Sequence, residues 1–218
     1  MAEELFDEKI LKEFKKDHLI KLVLELRKEK SQLEKAMQNS IEEVKNKVMD
    51  LERSHLLYLQ YGRRESVEIT GIPTTVKQEE LENEIIKVYN EAGAEVFGRS
   101  VAQTDISACH RLGKKGETTI VRFVNRKFAN EGLFKGKNLK GTKLYGGTRV
   151  FINNSFCKEY KQYGWIIRQL KKKNLIEGYK VKNGVHQIKV LNSDIFVDIA
   201  HYSDFSKFNL DVSAYLQS

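Results

Sequence analysis

Residues 106–123 read Ile-Ser-Ala-Cys-His-Arg-Leu-Gly-Lys-Lys-Gly-Glu-Thr-Thr-Ile-Val-Arg-Phe. Two runs in this stretch have strand character, Ile106–Leu112 and Thr118–Phe123, and a Gly-Lys-Lys-Gly turn separates them. A hairpin carrying Arg111, Lys114, Lys115 and Arg122 suits a surface that meets phosphate. Working outward, residues 66–71 alternate as a strand and stop at Gly71-Ile72-Pro73. A helix is predicted at about 78–91, where Leu81, Ile85, Ile86 and Tyr89 recur at helical spacing. One strand is expected within 94–112 and another at 118–124. A helix at about 126–135 and a strand at 149–152 follow. The resulting order, βαββαβ, is the split βαβ frame, and the fold class expected for the whole chain is α+β.

The charge pattern marks the same place. The 218 residues are 40% hydrophobic and 31% charged, with a formal net charge of +8. Residues 106–190 hold 20 Lys and Arg against 4 Asp and Glu, while 1–60, 61–105 and 191–218 are each net negative. A block of one sign between acidic neighbours implies a polyanionic partner, most commonly nucleic acid. Cys109 and Cys157 have no metal-ligand spacing with each other or with the histidines, and both are expected to be reduced. The first residues are acidic and lack an apolar signal core, and no apolar run reaches the roughly 20 residues of a membrane span. The expectation is a soluble, unsecreted protein of the cytoplasm or nucleus.

Residues 1–61 contain no Gly or Pro. Apolar residues fall at 19, 22, 26, 33, 37, 41, 44, 48 and 51, mostly in steps of three and four. This predicts a parallel coiled coil, capped at its start by Asp17 and stopped by Gly62. Leu26, Leu33, Ile41, Val44, Val48 and Leu51 form its seam. Leu33, Met37 and Ile41 are separated by two successive fours, a stutter that locally unwinds a supercoil. Lys47 and Glu52 flank the layers of Val48 and Leu51, in a pattern similar to the Arg-φ-x-x-φ-Glu trimerisation motif with Lys in place of Arg. A homotrimer is the expected assembly, with a dimer as the alternative.

In residues 155–218, Ser155 is expected to cap a helix running to about 174. Lys158, Lys161, Trp165, Arg168 and Lys172 fall on one side of it, and Phe156, Tyr160, Tyr163, Ile166, Ile167 and Leu170 on the other. Trp165 either stacks a base between these cations or packs against the preceding segment. Runs at 179–182 and Val185–Val190 flank Asn183-Gly184, a strong hairpin signal. A strand at 195–199 and a terminal helix from about Asp204 complete a small α/β domain. The expected division is therefore 1–61, 62–154 and 155–218.

The βαββαβ order is that of RNA-recognition motifs, which stack bases on aromatics of their first and third strands. Laid on that frame, Glu68, Thr118 and Ile120 occupy the aromatic sites and Arg122 shares their face. Such a face offers no stacking platform, so phosphate contact is expected instead. The ordered set 61–73, His110-Arg111-Leu112-Gly113 and Ile120-Val121-Arg122-Phe123 resembles the RNA-binding protein from the first open reading frame of LINE-type retrotransposons. The central part is also similar to the few-polyhedra protein family of baculoviruses. The first resemblance runs in order over about 60–215, with a shorter coiled coil before it than in many members. It implies a homotrimeric, sequence-tolerant binder of single-stranded RNA with nucleic-acid chaperone activity and no catalysis. It assigns RNA contacts to arginines and lysines, here Arg63, Arg64 and Arg111, and places a basic site near Lys161. Arg149, at the head of the last predicted strand, joins the candidate set.

Catalytic motifs are missing: there is no Gly-x-Ser-x-Gly, Walker loop, His-Glu-x-x-His or cysteine cluster, and His110 has no evident nucleophile to serve. No enzyme activity, cofactor, metal or small-molecule substrate is expected. The leading expectation is a retrotransposon ribonucleoprotein component that binds single-stranded RNA, or single-stranded DNA, in a cleft. One wall of that cleft would be the 106–123 stretch and the other the 158–172 helix. A coiled-coil adaptor working mainly through protein–protein contacts is the competing reading, and a reader of duplex DNA a third.

Overall fold

The computed structural model describes residues 2–212 and 215, and for 2–15 and 17 the backbone alone. The protein is mixed α+β, with a long N-terminal helix followed by sheets. It divides into two compact units, Met1–Glu52 and Arg53–Ser218.

Helix α1 spans Ala2–Tyr61. Because it begins at Ala2, Asp17 lies inside it rather than capping it. Local pairs one turn apart support the exposed surface, among them Lys47 to Glu43 at 2.7 Å and Lys30 to Glu34 at 3.7 Å. Such pairs contribute only a few tenths of a kcal/mol each, ~0.2–0.5. The apolar seam within the first unit is uncovered: Leu33 is 71% exposed, and Leu26, Ile41, Val44, Val48 and Leu51 are exposed with it.

The last turns of α1 belong to the second unit. Here burial moves to a different side of the helix, at Leu56 and Gln60, while Tyr58 stays exposed. The helix ends through turn bonds, Gly62 N–H to the Tyr58 carbonyl and Arg63 N–H to that of Gln60, without a left-handed residue at Gly62.

The next elements are β1 (Ser66–Thr70), α2 (Leu81–Ala92), a small hairpin of β2 (Glu95–Val96) and β3 (Arg99–Ser100), β4 (Ile106–Leu112), β5 (Thr118–Phe123), α3 (Arg126–Lys135) and β6 (Phe151–Asn154). Four strands form one antiparallel sheet in the order β4-β5-β1-β6. Alternation sets its two faces. Val67, Ile69, Val121, Phe123 and Ile152 point to one side and pack with Leu81, Ile85, Val88 and Tyr89 of α2 and Phe128 and Ala129 of α3. On the other face Glu68 pairs with Ile120 and Asn153, and Thr70 with Thr118 and Phe151. The face is as anticipated for Glu68, Thr118, Ile120 and Arg122. Phe151, 51% exposed on edge strand β6, gives it an aromatic that a comparison of the first and third strands alone misses.

The second half of this unit holds α4 (Lys158–Lys172), β7 (Ile176–Lys182), β8 (Val185–Val190), β9 (Phe196–Ile199) and the short α5 (Ser203–Ser206). Its sheet runs β7-β8-β9. Tyr160, Tyr163, Ile166, Ile167 and Leu170 of α4 pack on Ile176, Ile188, Ile199, Phe205 and Leu56. Burial of an apolar side chain of this size contributes about 1.5–3 kcal/mol, so this core fastens the end of α1. Arg53 reinforces it by donating to Asp204 at 2.5 Å. Burial pushes the Asp204 carboxyl up. Hydrogen bonds from Lys207, Arg53 and the backbone N–H groups of His201 and Ala200 outweigh that and hold it below the usual carboxylate range. Asn183 and Gly184 both take positive φ, as a tight two-residue hairpin turn requires. The helix expected from about Asp204 is four residues long, and any continuation over 213–214 and 216–218 lies outside the described residues.

Candidate nucleic-acid interface

Within the second unit, a cleft of about 810 Å³ separates the four-stranded half from the three-stranded half. The end of α1 and the turn after it contribute Gln60, Arg63 and Arg64. Strand β1 contributes Ser66 and Glu68, and α3 contributes Asn130 and Phe134. The opposing wall is Lys161, Gly164 and Arg168 of α4 with Tyr179 and the 183–184 turn. Four of the cations expected from the sequence, Arg63, Arg64, Lys161 and Arg168, therefore meet here.

Their availability differs. Arg168 is exposed and makes no ion pair among the described residues. Arg64 stands over the Tyr61 ring at 5.3 Å, also without an ion pair among the described residues. Arg63 donates to the Ser155 hydroxyl at 3.4 Å, a long and weak bond. Lys161 reaches both carboxylate oxygens of Glu68, at 2.8 and 3.1 Å, across the cleft. The Lys161 side chain is about half exposed while that of Glu68 is largely buried, so an arriving phosphate would compete for the ammonium from its solvent side.

The joint between the halves is built from residues that sequence reasoning passes over. Gln60 is buried; its amide donates to the Ser155 carbonyl at 3.1 Å and accepts from the Cys157 N–H at 3.2 Å. Ser155 does not cap α4, which starts after Cys157. Its hydroxyl is turned to Glu68 and Arg63 instead. His186 lines the cleft floor, where burial pushes its imidazole pKa down and its Nε2 donates to the Tyr160 carbonyl at 2.7 Å. A side chain at Gly164 would run into that ring, which keeps α4 close to β8.

The other predicted residues are placed elsewhere. The 106–123 hairpin is not a wall of the cleft: β4 is the far edge of its sheet, and β5 and β1 separate it from β6. Arg111 is turned inward, donating to the carbonyls of Ile72, Pro73 and Gly116 at 3.0, 2.5 and 3.2 Å, with Val76 at 3.5 Å. Arg122 pairs with Glu65 at 3.2 Å. Lys114 and Lys115 are exposed at the hairpin tip, and Arg149 is exposed just before β6. Lys158, Trp165 and Lys172 are exposed on α4 outside the cleft. Trp165 is 39% exposed and meets Tyr215 edge-on at 5.6 Å.

One wall also carries aromatic surface. Phe134 is 62% exposed, with the Lys137 and Lys135 ammoniums 4.6 and 5.9 Å from its ring centre. Exposed cation–π contacts of this kind are worth ~0.5–1 kcal/mol. A channel with arginines on both walls, a displaceable lysine and an open ring fits an extended polyanion that carries flat groups. Among the described residues no helix is long and apolar enough to cross a membrane, and no cluster of three His, Cys, Asp or Glu side chains is placed to hold a metal. No protein-family model matches the chain, and no curated protein is similar enough to it to count as a relative.

Proposed function

We propose that this chain is a non-enzymatic, sequence-tolerant binder and chaperone of single-stranded nucleic acid, RNA in the first place, that packages retrotransposon RNA into a ribonucleoprotein. The observation that carries the reading is the convergence of Arg63, Arg64, Lys161 and Arg168 on one cleft of about 810 Å³. They come as two pairs from two distant places in the chain, the turn after α1 and helix α4, and share no sequence motif. Arginine suits this task, since its fork pairs with phosphate in two bonds and stays charged.

The fold supports it. The sheet order β4-β5-β1-β6 is the strand arrangement of an RNA-recognition motif, with the two helices on its other face. The exposed seam of α1 supports a parallel coiled coil, in which Leu26, Leu33, Ile41, Val44, Val48 and Leu51 are covered by other copies, Lys47 and Glu52 flanking them. A homotrimer would then present three clefts to one strand, and effective concentration would turn modest affinities into a tight complex. The cationic cleft is what favours a nucleic-acid binder over an adaptor that works mainly through protein–protein contacts.

Fluorescence anisotropy with a labelled single-stranded RNA tests the proposal. Binding should be present at low salt, fall steeply with salt as counterions are released, and resist competition by duplex DNA. Binding that salt leaves unchanged, or that duplex DNA removes as readily as single strands do, would contradict it.

A further inference from the structure

Phe134 sits in the last turn of α3, on the side away from Phe128, Ala129 and Gly132, which face the core. It contributes nothing to that core, yet it is a large apolar side chain left open inside a cationic cleft. Asn130, one turn earlier on the same side of α3, lines the cleft with it. Its carboxamide has two donors and an acceptor, suited to the polar edge of any base. Arg63, Arg64 and Arg168 supply positive charge around the two.

We propose that Phe134 is a stacking platform for an unpaired nucleobase, with Asn130 alongside and the three arginines on the flanking phosphates. This rests on the nucleic-acid reading above and adds what that reading lacks, a physical basis for choosing single strands. In a duplex both faces of each base are already stacked and its edge is paired, so Phe134 has nothing to take. A free base offers a π-face whatever its identity, which leaves the site tolerant of sequence. Lys137 over the ring is exposed and Lys135 half-buried; a base that takes the ring displaces them toward phosphate, because base stacking outweighs an exposed cation–π contact.

The full-length chain would be compared with Phe134→Ala and Phe134→Trp by anisotropy. The ligands are a short single-stranded RNA, the same sequence as single-stranded DNA, and an oligomer of equal length made of abasic units. Phe134→Ala should weaken both base-bearing strands by about 5- to 150-fold and leave the abasic strand unchanged. Phe134→Trp should keep the affinity and add a fluorescence quench on binding beyond any that Trp165 gives in the wild type. Equal loss on all three ligands, or no loss on any, would overturn the stacking role while leaving the cleft as a phosphate binder. Loss confined to RNA would also overturn it, since stacking does not depend on the sugar. A wild-type chain that binds none of the three would remove the nucleic-acid reading itself, and this inference with it.

Discussion

Two cationic regions of the second unit teach opposite lessons. The β4–β5 hairpin looks like the binding site when charges are counted along the chain, for it holds Arg111, Lys114, Lys115 and Arg122 within twelve residues. Arg111 is nonetheless occupied by backbone carbonyls, and Arg122 stands in a surface pair with Glu65 at 3.2 Å. The cleft draws its cations from positions 63, 64, 161 and 168, about a hundred residues apart, and leaves Arg64 and Arg168 without an ion pair among the described residues. Charge density in sequence is therefore a poor guide to charge that a ligand can use. An arginine that satisfies carbonyls holds a loop; one that faces solvent across from another holds a polyanion.

The largest effect should come from the cleft. Replacing Arg63, Arg64 and Arg168 together with Ala is expected to weaken single-stranded RNA binding by about 100-fold or more, since each charge-assisted hydrogen bond to phosphate contributes roughly 1.5–3 kcal/mol. The circular dichroism melt should stay close to wild type. Arg111→Ala should do the reverse. With the Ile72 and Gly116 carbonyls losing this donor and Pro73 keeping only the Val76 N–H, stability should fall by roughly 2–3 kcal/mol and the melting temperature with it, while RNA affinity measured well below the melt stays the same. Arg111→Lys should not rescue it, because an ammonium lacks the fork that reaches several carbonyls at once.

Glu68→Gln should move binding the other way. It frees Lys161 and removes a carboxylate from the cleft, so affinity should rise by about two- to fivefold at low salt, where a nearby charge is least screened. The smallest effect belongs to the hairpin tip. Lys114→Ala with Lys115→Ala should change affinity by less than about twofold at physiological salt, where charges more than a Debye length of ~8 Å from the ligand are screened. A large loss there would restore the hairpin as the interface and end the contrast.

The fold is legible where local pattern decides it. Helix α3 and strands β4, β5 and β8 fall where their periodicity and turns predict, and the faces of Val121 and Phe123 against Ile120 and Arg122 follow from alternation. The joint between the halves is not legible. Gln60 meets its partners 95 and 97 residues away, and Ser155 is drawn from its capping role by Glu68, 87 residues back. Leu56 is one more apolar residue in a helical stripe until the second half packs on it. The role of Arg111 is hidden because its partners are main-chain carbonyls of the 72–76 loop, which carries no acidic side chain to announce them. Phe134 and Phe151 are within reach of sequence reasoning: helical phase turns the first outward, and strand alternation the second.

The salt dependence of binding in the two regions tests the central claim most directly. With a single-stranded RNA short enough to occupy one cleft, log affinity is plotted against log salt for the wild type, for Arg63→Ala/Arg64→Ala/Arg168→Ala and for Lys114→Ala/Lys115→Ala. The cleft variant should flatten the slope by about 0.7 for each phosphate it no longer neutralises, and the hairpin variant should overlay the wild type. A slope unchanged in the cleft variant and flattened in the hairpin variant would contradict the account.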